Sequence, residues 1–165
     1  MKIFYAASHQ SMFETSIYKQ YLNHCIYSKK ELLWIPIFGW YLKKIGSISI
    51  KRNQVTKDNL GFFDHISKIV NQSDRPLIIF PQGTRVLPNE RPPFKKGAFR
   101  IYEQLNIVCQ PVAINSGYVW PKKGFKKGNK DIVISILKPI PAGLDRENFI
   151  QILEKAIYSE LDTLN

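Results

Sequence analysis

Apolar residues fall into short runs and helical stripes that alternate along the chain. Ile3 to Ala7 is a short apolar run and reads as a strand. His9 to Tyr27 then has helical spacing, with Ser11 as its N-cap. Pro36 to Lys44 is a short amphipathic piece, and Ser47 to Ile50 reads as a strand. Thr56 to Gln72 predicts a helix, with Leu60, Phe63, Ile66 and Val70 on one face and Thr56 as N-cap. Leu77 to Phe80 is wholly apolar and bounded by Pro76 and Pro81, the pattern of a buried strand. A helix over Gly97 to Leu105, a strand over Ile107 to Ile114, a loop over Gly117 to Asn129 and a strand over Ile132 to Leu137 follow. Asp145 caps a last helix whose apolar face is Ile150, Leu153, Ile157, Leu161 and Leu164. The alternation predicts an α/β architecture with a mixed, largely parallel sheet flanked by helices, and a single domain over residues 1–165.

Hydropathy adds no membrane span. The longest apolar stretch, Leu32 to Leu42, is broken by Pro36 and Gly39 and falls short of the roughly 18 residues that a crossing needs. Charge changes the picture more. The 24 Lys and Arg outnumber 13 Asp and Glu, for a formal net charge of +11, which suits nucleic acid, an anionic membrane face or a phosphorylated substrate. Trp34, Trp40 and Tyr41 sit between Lys29-Lys30 and Lys43-Lys44, a pattern that fits either a membrane interface or a core. The basic loop from Pro121 to Lys130 fits a solvated surface, anionic head groups or an acidic carrier protein. Cys25 and Cys109 form no metal-binding spacing, so no zinc is expected and a reduced location is the simpler reading. His24 and His65 fall in helical stretches without partners and receive no role.

Three stretches carry candidate chemistry. His9 and Glu14 stand five apart in SHQSMFET, where a strand end runs into a helix. Histidine is the usual general base near neutral pH, and a carboxylate on one ring nitrogen fixes the tautomer that leaves the other free to take a proton. The competing reading is a surface histidine followed by a first-turn glutamate placed by the helix dipole. No GxSxG nucleophile motif is present, which points to direct attack by a substrate hydroxyl. In LIIFPQGTR a buried strand leads to Gly83, Thr84 and Arg85, where a glycine turn and a guanidinium suit a phosphate. In GSISIKR, Gly46 and a short strand end on Lys51 and Arg52, which read equally as a solvated sheet end.

In order and wording these stretches resemble the glycerolipid acyltransferase family, specifically the 1-acylglycerol-3-phosphate acyltransferases of the bacterial PlsC type. SHQSMFET resembles its His-x4-Asp motif with Glu14 in the Asp place, GSISIKR its second motif, FPQGTR its third and CQPVAI, Cys109 to Ile114, its fourth. FKKGAF, Phe94 to Phe99, is also similar to the family. The resemblance implies a glycerol-3-phosphate acyltransferase-like fold and acyl transfer to the free hydroxyl of 1-acylglycerol-3-phosphate, giving phosphatidic acid. It implies His9 as general base and Glu14 as its orienting carboxylate. Lys51, Arg52, Gly83, Thr84 and Arg85 would hold the acceptor, and Pro111 would shape the acyl end. The implied donor is acyl-CoA or acyl carrier protein, with no metal and no cofactor.

Three departures from the pattern stand out. Glu14 adds a methylene but keeps the carboxylate. Gln82 replaces the usual Glu and removes a charge near the implied phosphate, which bears on substrate preference. His9 follows one short strand where relatives carry an apolar anchor, so a truncated or mis-started chain is one expectation. Attachment is then expected to be peripheral, on the cytoplasmic face, through Trp34, Trp40 and the basic loop. Alternatives are a different lysolipid acceptor, a non-catalytic lipid-binding relative, and a nucleic-acid module. The last lacks any recognised motif and has no need of His9 beside Glu14, so no nucleic acid is expected.

Overall fold

The computed structural model describes residues 2–22, 25–29, 36, 39–40, 44, 48–50, 60–72, 76–122 and 129–164. Among these, the strands are β1 (Ile3–Ala7), β2 (Cys25–Lys29), β3 (Ile48–Ile50), β4 (Leu77–Ile79), β5 (Val108–Ile114) and β6 (Ile134–Ile136). The helices are α1 (Glu14–Leu22), α2 (Leu60–Gln72), α3 (Lys96–Leu105) and α4 (Arg146–Thr163). The six strands form one sheet in the order β3-β2-β4-β1-β5-β6. β1 pairs in parallel with β4 (Phe4 opposite Leu77) and with β5 (Phe4 opposite Cys109), and only β6 runs antiparallel to its neighbour.

The alternation of side chains explains two apolar layers. On one face Phe4, Ala6, Leu77, Ile79, Cys109 and Ala113 pack with Ile66 and Val70 of α2, Ala98, Ile101 and Tyr102 of α3, and Phe149, Leu153, Ile157 and Leu161 of α4. Tyr102 stacks on Phe149 with ring centroids 3.9 Å apart. On the other face Ala7, Ile78, Val112 and Ile114 cover Tyr18 of α1. Burial on both faces is why β4 reads as an unbroken apolar run rather than an alternating one. Asp145 caps α4 as expected, accepting from Asn148 N at 3.0 Å, and that backbone N–H holds its carboxyl below the ordinary carboxylate range. Asn106 ends α3 in the left-handed region at φ 47°, where its N–H closes on the Tyr102 carbonyl at 2.9 Å.

One element differs in kind from the sequence expectation. The first helix ends at Leu22, and Cys25 to Tyr27, expected as its last turn, belong to a strand. β2 gains a ladder on both sides, with Cys25 opposite Leu77 and Tyr27 opposite Ile48. Such non-local pairing overrides local helical spacing. The other elements sit where the pattern puts them, within a few residues. Thr56 lies outside the described residues, as does most of Pro36 to Lys44.

Candidate active site

Because β1, β4 and β5 are parallel, the loops that follow them leave the same end of the sheet, the usual place for a site in an α/β fold. The loop after β1 carries His9 and leads to Glu14, the first residue of α1. Ser8 extends the β1–β5 pairing before the chain turns away. Its N–H donates to the Val112 carbonyl at 3.0 Å and its hydroxyl accepts from Ile114 N at 3.0 Å. Ser11 and Glu14 then form half of a capping box. Ser11 N donates to Glu14 Oε1 at 2.9 Å, and Ser11 Oγ accepts from Phe13 N at 3.3 Å.

That cap turns the Glu14 carboxylate back toward His9. Glu14 Oε2 lies 2.6 Å from His9 Nδ1, and Oε1 accepts from Gln10 N at 2.8 Å and from Ser116 Oγ at 2.5 Å. The Glu14 side chain is wholly buried, while 17% of the His9 side chain reaches solvent. Its charge is felt at Tyr18, whose phenol is pushed well above its ordinary value by burial first and by Glu14 second. In the neutral ring, donation from Nδ1 to the carboxylate leaves the lone pair on Nε2. Among the described residues Nε2 has no hydrogen-bond partner. The arrangement can accept a proton at Nε2 and stabilise the resulting imidazolium.

The loop after β4 wraps the same histidine. The His9 ring stacks on Phe80 at 4.2 Å. His9 N donates to Gln82 Oε1 at 2.7 Å, and Val86 N donates to the His9 carbonyl at 2.9 Å. Gly83, Thr84 and Arg85 are therefore bracketed between two ties to His9. Pro81 opens the turn with its fixed φ, Gly83 N closes it on the Phe80 carbonyl at 2.9 Å, and Gly83 itself adopts φ 71°, which a side chain would resist. Arg85 is half-buried and makes no ion pair or hydrogen bond with another described residue.

Gln82, expected to bear on substrate preference, is placed against the loop that carries His9. Gln82 is buried, and its amide is turned inward onto the His9 backbone. It also lies beside Tyr158 of α4, whose phenol burial pushes up to about 12, opposed in part by the Gln82 side chain. Pro111 sits in the body of β5 opposite Ala6, with its carbonyl accepting from Leu137 N at 3.0 Å. Lys51, Arg52 and Trp34 lie outside the described residues, as do residues 123–128 of the basic loop. Trp40 is described and 65% exposed, with the Lys44 ammonium 4.9 Å from its ring centre.

Three contributors escaped the sequence reading: Phe80, Gln10 and Ser116. The S-x-x-E spacing from Ser11 to Glu14 was a legible cue to the cap, but nothing local linked Glu14 to Ser116. Phe13 packs on Trp120 at 3.8 Å, Tyr118 donates to Asn89 Oδ1 at 3.0 Å, and Met12 and Leu87 are exposed. Among the described residues no group of three or more His, Cys, Asp or Glu side chains is arranged to hold a metal ion.

Comparison with known proteins bears on this arrangement. The acyltransferase family profile matches residues 2–115. The chain is 32% identical to the 1-acyl-sn-glycerol-3-phosphate acyltransferase of Saccharomyces cerevisiae, covering 83% of this chain and 46% of that protein. It is 31% identical to the enzyme of the same name from Pseudomonas aeruginosa, covering 78% and 51%, and 33% identical to that from Helicobacter pylori, covering 80% and 58%. The chain thus spans about half the length of the curated relatives it matches. The crystal structure of the acyltransferase PlsC from Thermotoga maritima superposes with a TM-score of 0.79 at 18% identity, over 99% of this chain and 66% of that one, a likeness of fold.

Proposed function

The chain belongs to the acyltransferase family, and from that premise we propose that it moves a fatty acyl group from an acyl thioester to the free hydroxyl of 1-acylglycerol-3-phosphate, giving phosphatidic acid. The observation that carries this reading is the 2.6 Å contact between His9 Nδ1 and the buried Glu14 carboxylate, with Nε2 left to act. The acceptor hydroxyl gives its proton to Nε2 as its oxygen attacks the thioester carbonyl carbon. The C–O bond forms, the C–S bond breaks, and the imidazolium returns the proton to the departing thiolate. Relatives named for this acceptor support the choice of lysolipid. The donor is acyl-CoA or acyl carrier protein, and residues 1–165 act as one domain. Purified protein should form phosphatidic acid from 1-acylglycerol-3-phosphate and one of these donors. Transfer only to lysolipids without a phosphate monoester would overturn the acceptor, and no transfer to any lysolipid would overturn the reading.

In this reading the acceptor phosphate meets Gly83, Thr84 and Arg85, together with Lys51 and Arg52, and Pro111 borders the acyl end. Arg85 has no competing carboxylate among the described residues, so its guanidinium is available to an anion. Arg85→Ala should raise the acceptor KM about 10- to 100-fold, as befits one charge-assisted contact. The donor KM should stay nearly constant. An unchanged acceptor KM in steady-state kinetics would move the phosphate site elsewhere.

No helix among the described residues is long and apolar enough to cross a membrane. We infer peripheral attachment on the cytoplasmic face through the segment of Trp34 and Trp40 and through the basic loop, supported by the exposure of Trp40 and the net charge of +11. Binding to anionic vesicles should weaken as salt rises, because surface charge is screened over about 8 Å at physiological ionic strength. Neutral vesicles should bind less. Co-sedimentation that ignores both salt and lipid charge would refute the electrostatic part.

A further inference from the structure

The turn after β5 reaches the histidine–carboxylate pair from the strand beside β1. β5 ends at Ile114, and Ser116 to Tyr118 form one 3-10 turn. Ser116 is buried, and its hydroxyl donates to Glu14 Oε1 at 2.5 Å. The other two donors to that oxygen, Gln10 N and Ser11 N, belong to the turn that carries Glu14 itself and move with it. Among the described residues Ser116 is thus the tie to Glu14 from a separate part of the chain.

The neighbours of Ser116 hold it there. Asn115 clamps the base of the loop, donating from Nδ2 to the Asp131 carbonyl at 3.2 Å and accepting at Oδ1 from Val133 N at 2.8 Å. The Ser116 carbonyl accepts from Val119 N and Trp120 N at 3.1 and 2.8 Å. Gly117 N donates to Gln10 Oε1 at 3.0 Å, and a Cβ at Gly117 would meet Gln10 Cβ, Gln10 Oε1 and Pro88 Cγ, each at 2.9 Å. The glycine lets the turn press against the residue whose N–H is a second donor to Glu14.

We propose that Ser116 is a positioning residue that holds the Glu14 carboxylate so that Oε2 stays on Nδ1 of His9. It touches no reacting atom and acts through Glu14. The kinetic part of the test rests on the acyl-transfer reading; the spectroscopic part does not. Ser116→Ala should lower kcat about 10- to 100-fold, the range expected for one hydrogen bond to a buried charge, with the acceptor KM little changed. Ser116→Thr, which keeps the hydroxyl, should restore most of the loss. In a Glu14→Gln background Ser116→Ala should cost little more, since both changes disable one unit. In parallel, the downfield proton resonance of His9 Nδ1–H, assigned by its loss in His9→Ala, should shift in Ser116→Ala and return in Ser116→Thr.

Full kcat in Ser116→Ala, or a loss that multiplies with that of Glu14→Gln, would overturn the proposal while leaving acyl transfer intact. If the unsubstituted protein transfers no acyl group, the function reading fails instead. The resonance then decides: an unmoved Nδ1–H signal in a folded Ser116→Ala protein overturns the positioning role, and a moved one supports it.

Discussion

His9→Ala should lower acyl transfer about 100- to 10,000-fold, the usual contribution of a positioned general base, in a protein that still folds. The fold should survive because the ties that fix the loop at residue 9 are made by its backbone. His9 N donates to Gln82 and its carbonyl accepts from Val86, and alanine keeps both. The ring gives up its stacking on Phe80 and its contact with Glu14, whose Oε1 keeps its own donors. Turnover and thermal unfolding should be measured on the same preparation. A folded variant that keeps near-full turnover would remove His9 from the reaction.

Glu14→Gln should cost activity on a similar scale, about 1,000- to 10,000-fold by comparison with the amide replacement of a triad carboxylate. All four groups around Glu14 are donors: Gln10 N, Ser11 N, the Ser116 hydroxyl and His9 Nδ1–H. A glutamine offers one oxygen and one NH2 group, so the NH2 must face at least one donor in a wholly buried place. If it faces His9, the ring is driven to the wrong tautomer. If it faces the cap, stability falls by about 1–3 kcal/mol for the unsatisfied donor. Glu14→Asp keeps the charge and should retain far more turnover than the amide. Equal rates for Gln and Glu at position 14 would refute the orienting role.

The part of the fold set by local pattern was legible. β4 announced itself by an apolar run between two prolines, and α4 by an N-cap and a stripe at spacings of three and four. β2 was not legible, because Cys25 to Tyr27 read as the end of a helix and become strand through β4 and β3, whose registers no local window contains. The site divides the same way. His9 and Glu14 stand five apart where a strand end runs into a helix, and their match to the His-x4-Asp pattern marked them as a pair. Gln82, which stands in place of the usual glutamate, faces the His9 backbone from 73 residues away, a contact that no local pattern announces. Ser116 lies 102 residues from its partner and carries no motif of its own. Burial decided both, and burial of a polar side chain is a property of the assembled sheet.

The position of β1 between β4 and β5 has a consequence for how the chain folds. Both strands that flank β1 are parallel to it and are made about 70 and 105 residues later. Parallel pairings of such separation close slowly, since loop entropy is lost before any contact offsets it. During synthesis at about 5–20 residues per second, the apolar Ile3–Ala7 segment waits several seconds with neither edge paired. Its backbone is then open to other nascent chains, the exposure that draws chaperones. The set of donors around Glu14 cannot be complete before the turn at Ser116 has left the ribosome, so the site waits for a residue made 102 positions after the carboxylate it holds.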